Sequence, residues 1–285
     1  MANTLIQYSV IIPHFESLDV LHRAVASVPE RKDIEVLVID NSKEPISPTL
    51  FAERKNVFVF YSPYGEGAGT ARNVGLDKAR GKWVLLLDAD DYFTEDAFHA
   101  IDAYKDAAED IVFFKLTSCY SDDGAPADRH IELNTLKEDG LRYGWASPCG
   151  KLIRMELIQE HAIRFETTQA ANDVLFSLLT GYYAKSILSD EHVIYCATVH
   201  HGSLTQTPSL RNLTDRIEVF VRFNTFINQH AIPKKYRKSI MYYLYTVNKY
   251  HGFRAASRLF WRSICAGNNP FIGISRWGKT IKNRA

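Results

Sequence analysis

Two hydrophobic rhythms take turns through the first half of the chain. Short runs rich in β-branched and aromatic residues occupy positions 9–12, 34–39, 57–60 and 83–87. Between them lie stretches whose apolar positions repeat at helical spacing, residues 18–28 and a segment running from a glycine-rich turn to about position 79. Strands alternating with helices predict βαβ units on a mostly parallel sheet, an α/β fold. The run 83–87 is apolar throughout, as in a strand covered on both faces. A helix over 95–108, a strand over 111–116 and a polar surface loop over 121–129 continue the pattern. A helix starting near Asn172, a strand over 192–195 and a loop over 200–208 then lead into a basic, tyrosine-rich helical tail. There is no internal repeat and no low-complexity stretch.

Composition adds little until it is divided along the chain. With 285 residues, 46% hydrophobic and 24% charged, the chain is an ordinary globular one with ample material for a core. The formal net charge of +1 hides an asymmetry. Residues 231–285 hold twelve Lys and Arg and no Asp or Glu, leaving 22 basic and 33 acidic residues upstream, so −11 stands against +12. Cys119, Cys149, Cys196 and Cys265 form no CxxC pair, which argues against a zinc site and a disulfide framework and for a reducing compartment. No secretory pattern opens the sequence, and its apolar runs fall short of the ~20 residues of a spanning helix. A cytoplasmic protein is expected. In the tail, Tyr242, Tyr243, Tyr245, Tyr250, Phe253, Phe260, Trp261 and Trp277 interleave with the cations. That mixture suits the headgroup layer of an anionic bilayer, so peripheral contact with the inner face of the plasma membrane is expected. A basic face docked on the acidic part of the chain, or on another copy in an oligomer, is the alternative. Nucleic acid, which the same charges would attract, is not expected as a partner.

Ligands of open α/β sheets sit beyond the carboxyl ends of the strands. Pro13 to Glu16, Asp40 with Asn41, the turn at Gly65, Gly67 and Gly69, and the cluster Asp88, Ala89, Asp90, Asp91 all fall at such ends. Asp88 and Asp90 can face one hard cation, magnesium or manganese, which would neutralise a diphosphate. The plainer reading is a helix start, with Asp90 or Asp91 as N-cap before Thr94 and Glu95, and both stay open on the residues alone. The glycine turn can cradle phosphates through backbone N–H groups or serve only as a flexible helix entry. It follows the third strand and lacks the GxGxxG spacing of a dinucleotide fingerprint. Lys151 reads as a phosphate contact or as a solvated side chain.

Taken in order, SVIIPHFES, EVLVIDNS and GAGTARNVGLDKARGKWVLLLDADDYF resemble the successive signatures of glycosyltransferase family 2, inverting enzymes of the GT-A fold, over residues 8–95. A weaker resemblance continues through PCGKLIRMELI, NDVLF and HHGSLT to about residue 205. It implies a catalytic domain over 1–205, with a nucleotide-binding half at 1–91 and an acceptor-side half at 92–205, followed by the tail at 206–285. The resemblance also implies that Asp40 contacts the nucleotide base, that Pro13 and Phe15 shape its pocket, and that Glu16, Asn41, Gly69, Arg72, Asp88 and Ala89 line the donor. Asp88 and Asp90 correspond to the metal-binding DxD motif for Mn2+ or Mg2+, with His201 or His200 completing the site. Asp173 corresponds to the catalytic base. An aspartate of ordinary pKa, ~3.9, is ionised at neutral pH and can take the acceptor hydroxyl's proton. Phe15-Glu16 replaces the usual tyrosine-asparagine, Asn41 the usual second aspartate, and Asn172-Asp173 the usual acidic pair. The expected function is transfer from a nucleotide diphosphate-sugar, a UDP-sugar, to a glycan or lipid-linked saccharide of a surface polysaccharide such as O-antigen, capsule or lipooligosaccharide. A non-catalytic nucleotide-sugar-binding module and a dinucleotide-dependent oxidoreductase are the rival readings.

Overall fold

The computed structural model describes residues 5–127, 136–199 and 209–272. The chain divides into two compact units, Met1–Thr167 with Phe176–Ser203 and Thr168–Leu175 with Leu204–Ala285.

In the first unit, β1 (Tyr8–His14), β2 (Ile34–Asp40), β3 (Val57–Tyr61), β4 (Trp83–Leu86), β5 (Tyr92–Phe93), β6 (Ile111–Tyr120), β7 (Lys151–Arg154) and β8 (Ile187–Val199) form one sheet. Its order is β3-β2-β1-β4-β7-β6-β8-β5. β1 pairs in parallel with β2 and β4, β2 with β3, and β6 with β8. β7 lies antiparallel between β4 and β6, and β5 antiparallel on β8. Every residue of β1, β2 and β4 is buried, as in strands covered on both faces, and the polar Ser9 and Glu35 within them bond to each other at 2.7 Å.

The crossovers are α1 (Leu18–Ala26), between β1 and β2, and α2 (Gly67–Lys78), between β3 and β4. Gly67 and Gly69 therefore belong to the first turn of α2 rather than to a separate loop. Helix and strand meet closely at Gly75, where an added Cβ would stand 2.4 Å from Ile11 Cγ2. This glycine is required by the approach of α2 to β1.

Three expectations are corrected. The helix over 95–108 shrinks to α3 (Ala97–Asp102). The backbone carbonyl of Lys105 accepts from Gln7 Nε2, Lys82 Nζ and Trp83 Nε1 at 2.6, 2.7 and 3.0 Å, which ties this stretch to the sheet instead of to further helical turns. The strand over 192–195 is one part of the longer β8, and the helix expected near Asn172 starts at Val174. The remaining helices of this region are α4 (Glu138–Gly144), α5 (Met155–Glu160) and α6 (Val174–Tyr183).

The second unit carries α7 (Leu210–Gln229), a 3-10 turn at Lys234–Tyr236, α8 (Met241–His251) and α9 (Phe253–Cys265), so the tail is helical as expected. Ser209 caps α7, its hydroxyl accepting from Asn212 N–H at 3.1 Å. Leu213, Ile217, Ile240, Leu244, Val247, Ala256 and Leu259 form the core among these helices. Gly252, at φ 86°, separates α8 from α9 in a conformation that glycine adopts without strain. No described helix is long and apolar enough to cross a membrane.

Candidate active site

Parallel register decides where the candidate residues emerge. His14 lies opposite Asp40, and Asp40 opposite Tyr61. Beyond β4, Leu87 N–H donates to Ile11 O at 3.1 Å, so the aspartate turn leaves the sheet beside the end of β1. Strand order reverses between β1 and its neighbours β2 and β4, the place where open α/β sheets bind ligands.

Arg72 rises from α2 into this crevice, almost fully buried, with its guanidinium over the Phe165 ring at 5.3 Å. Its Nη2 meets Asp88 Oδ1 at 2.5 Å. Asp88 and Asp90 are half-exposed, whereas Asp91 is buried. Asp91 accepts from Tyr195 Oη at 2.5 Å and from Thr198 N–H at 2.6 Å, both on β8. Burial, reinforced by the neighbouring charge of Asp88, pushes its pKa up to about 7 against these hydrogen bonds. The N-cap reading of the cluster fails, because the N-cap residue of α3 is Asp96 and Asp91 is committed to β8. On the other side, Arg23 of α1 donates to the backbone carbonyl of Asp90 and to Thr198 Oγ1, the latter at 2.8 Å. It also covers the Tyr92 ring at 4.9 Å. The turn is thus pinned from α1 and from β8, and Ala89 packs on the core between its two half-exposed aspartates.

Two carboxylates in one anchored turn fit a hard divalent cation, which often takes one or two protein carboxylates and completes its shell with substrate phosphates. No group of three or more His, Cys, Asp or Glu side chains suited to a metal occurs among the described residues. His200 and His201, expected to supply a third ligand, lie outside them. Lys151 is neither solvated nor aimed at a phosphate from the surface. It is buried, donating to Trp145 O at 3.2 Å and lying over the Phe113 ring at 5.2 Å.

The end of the crevice expected to take the nucleotide is organised by Asp40, whose carboxylate is only 1% exposed. Oδ1 is bonded to His14 Nδ1 at 2.8 Å and Ser42 Oγ at 2.6 Å, and Oδ2 accepts from Ile46 N–H at 2.9 Å. Burial works against its charge, but the Ser42, Ile46 and His14 contacts outweigh it and hold the carboxyl below its ordinary value. The carboxylate expected to contact the base holds the loop from Ser42 to Ile46. That loop borders a cavity of about 600 Å3 lined by His14, Glu16, Leu18, Ser42, Ile46 and Leu50, among others. Glu16 holds a left-handed conformation, φ 60°, and its N–H donates to Ser42 Oγ at 2.8 Å. Asn41 is buried with its N–H on His14 O at 3.0 Å, and Pro13 is buried within β1. Phe15 is 51% exposed and stacks on Tyr64, the centroids 6.1 Å apart and the planes at 20°. Gly69 is buried in α2. Asp173 lies just before α6, in the second unit.

Arg23, His14, Tyr64, Tyr195 and Thr198 are absent from the sequence-derived site. Only His14 lies within one of the quoted motifs, directly after Pro13.

An α/β sheet with an anchored aspartate turn at its point of strand reversal defines the class of nucleotide-sugar enzymes with a GT-A fold. The chain belongs to glycosyl transferase family 2, whose sequence profile matches residues 9–162. The oxidoreductase reading falls with that result. Among relatives, "Putative glycosyltransferase EpsH" of Bacillus subtilis is 21% identical over 226 residues, 73% of this chain and 64% of that protein. The chain thus spans just under two thirds of its length. Poly(ribitol-phosphate) beta-N-acetylglucosaminyltransferase TarP of Staphylococcus aureus is 24% identical over 272 residues, covering 82% of this chain and 83% of that one. The structure of S. aureus TarS 1-349 in complex with UDP-GlcNAc superposes with a TM-score of 0.62 at 22% identity, over 86% of this chain and 71% of that one. Mannosyltransferase PcManGT from Pyrobaculum calidifontis, in complex with GDP-Man and Mn2+, gives 0.55 at 17% identity, over 98% and 84%. At these identities the structural likeness establishes the fold.

Proposed function

We propose that the chain transfers a sugar, with inversion, from a UDP-sugar to a hydroxyl of a glycan or lipid-linked saccharide in the assembly of a bacterial surface polysaccharide such as O-antigen, capsule or lipooligosaccharide. The observation that carries this reading is the Arg72–Asp88 pair in the anchored aspartate turn of a family 2 chain. The UDP-GlcNAc complex of TarS supports the donor class.

Each residue then has a task. Phe15 and Tyr64 offer ring faces to the base. Asp40 orders the Ser42 to Ile46 loop around it, with Pro13, Glu16 and Asn41 closing the same end. Gly69, at the start of α2, allows the diphosphate to approach the backbone. Arg72 exchanges Asp88 for the diphosphate as negative charge builds on the leaving group. Asp88 and Asp90, with His201 or His200, would hold Mg2+ or Mn2+, which when bound offsets the same charge. The Mn2+ in the Pyrobaculum structure supports that choice. Asp173 takes the proton of the acceptor hydroxyl as its oxygen attacks the anomeric carbon from the side opposite the diphosphate. The basic carboxy-terminal helices rest on an anionic membrane.

Titration calorimetry with UDP-sugars, with and without Mn2+, together with a hydrolysis screen over nucleotide sugars, tests the donor. Asp88→Ala is expected to abolish metal-dependent transfer, and Asp173→Ala to lower turnover while donor affinity stays. Normal turnover in Asp173→Ala would overturn the base, and normal transfer by Asp88→Ala would overturn the metal site.

A further inference from the structure

We infer that the outer face of α9 is the surface by which this protein lies on an anionic lipid bilayer. The inference rests on the proposed membrane attachment and deepens it by naming the contact. α9 buries Ala256, Leu259 and Ser263 and turns a different face outward. Phe253, Trp261 and Ile264 are 77%, 62% and 37% exposed, an unusual load of apolar surface for one helix of 13 residues. Spacings of eight and three residues set them on one stripe, which runs through Ser257. Arg254, Arg258 and Arg262 follow at spacings of four on the adjoining stripe, all exposed. Tyr250 and Phe271, 45% and 54% exposed, stand just before and after the helix.

Charge decides among occupants of such a face. Residues 231–285 contain twelve Lys and Arg and no Asp or Glu, so a second copy meeting this face with its own would bring like charges together. An anionic headgroup layer has the opposite sign, and its boundary with the acyl chains accepts Trp, Tyr and Phe rings. At ~1.5 Å per residue α9 is roughly 20 Å long and lies flat, which agrees with no described helix being able to cross. The helix is tied to its neighbour by Arg262, which pairs with Glu218 of α7 at 2.7 Å. Arg254 and Arg258 carry no ion pair among the described residues, which leaves their guanidinium groups for lipid phosphates.

The test is sedimentation of the full chain with vesicles of phosphatidylcholine alone or with roughly a third phosphatidylglycerol. Binding is expected only to the anionic vesicles, with a blue shift of tryptophan emission and weakening by salt. Phe253→Ser with Trp261→Ser, and separately Arg254→Glu with Arg258→Glu, are each expected to weaken binding at least about tenfold. Far-ultraviolet dichroism and donor titration should match the parent, since these residues are not among those assigned to the donor. If both variants bind anionic vesicles as the parent does, the α9 face is wrong while membrane attachment stands. If the parent ignores anionic vesicles, both fall. A self-association that the same variants abolish without vesicle binding, or displacement from vesicles by RNA, would also overturn the assignment.

Discussion

Arg72 and Asp88 hold each other at 2.5 Å, so the cation expected to meet the donor diphosphate and the anion expected to meet the metal are each other's counterion. On the proposed assignment a divalent ion would compete for Asp88 and a diphosphate for Arg72, so each ligand would release a partner for the other and by linkage reinforce its binding. Arg72→Met is expected to lower kcat/KM by about a hundredfold, the usual cost of losing one donor to a developing charge. The same variant should bind Mn2+ more tightly in the absence of nucleotide, because Asp88 has lost its competitor. Initial rates and Mn2+ titration check the two halves, and weaker Mn2+ binding would refute the competition.

Asp91 gives a pH dependence of definite sign. Its folded pKa, about 7, stands above the ordinary carboxylate value of 3.8, so the folded chain retains a proton that the unfolded chain releases. Stability must then fall as pH rises across that interval. Asp91→Asn keeps an oxygen for Thr198 N–H and removes the charge. With a chelator present, the parent should lose roughly 1–3 kcal/mol between pH 5 and 8 from this group, and the variant should lose correspondingly less. Urea midpoints at the two pH values measure the difference.

Asp40 carries the opposite sign. Its carboxyl is held below the ordinary value, so its stabilising bonds to Ser42, Ile46 and His14 are present above that value and disappear only as pH falls through the lowered one. Asp40→Ala should cost on the order of 3 kcal/mol at neutral pH, by leaving buried donors unsatisfied. The gap from the parent should be flat above about pH 5 and close below about pH 4, as urea unfolding can follow. Donor KM is expected to rise more than kcat falls, since the displaced loop borders the cavity proposed to take the nucleotide.

Phe15 and Tyr64 present parallel rings at the rim of the crevice. Stacking on a base contributes about 1–3 kcal/mol, so Phe15→Ala is expected to raise the Kd for UDP roughly tenfold or more. Phe15→Tyr should stay near the parent. Because the ring is half-exposed, thermal stability should be nearly unchanged in both. Calorimetric titration with UDP against a melting curve separates binding from folding.

The parts that could be read from the chain are those whose environment is written in adjacent residues. Residues 83–87 are continuously apolar because both faces are covered, residues 34–39 are so apart from Glu35, and the aspartates after them stand out by contrast. What escaped depends on partners far away. Asp91 looked like a helix cap because its acceptors' donors, on Tyr195 and Thr198, lie 104 and 107 positions on. Nothing adjacent to Arg23 in the chain marks it, yet it fixes a turn 67 residues later. Lys151 read as a phosphate contact or as a solvated side chain, and its burial against Trp145 and Phe113 appears only in the fold. The length of α3 failed for the same reason, with Gln7 and Lys82 reaching in from other elements.

The tight seat of Gly75 on Ile11 also bears on how this scaffold can be diversified. Arg72 stands one turn earlier on the same helix, so shifting α2 to suit a bulkier donor would drag the arginine proposed to meet the phosphates out of place. New sugar preferences are therefore more easily acquired by exchanging loop side chains around a rigid helix–strand chassis than by sliding the helix itself.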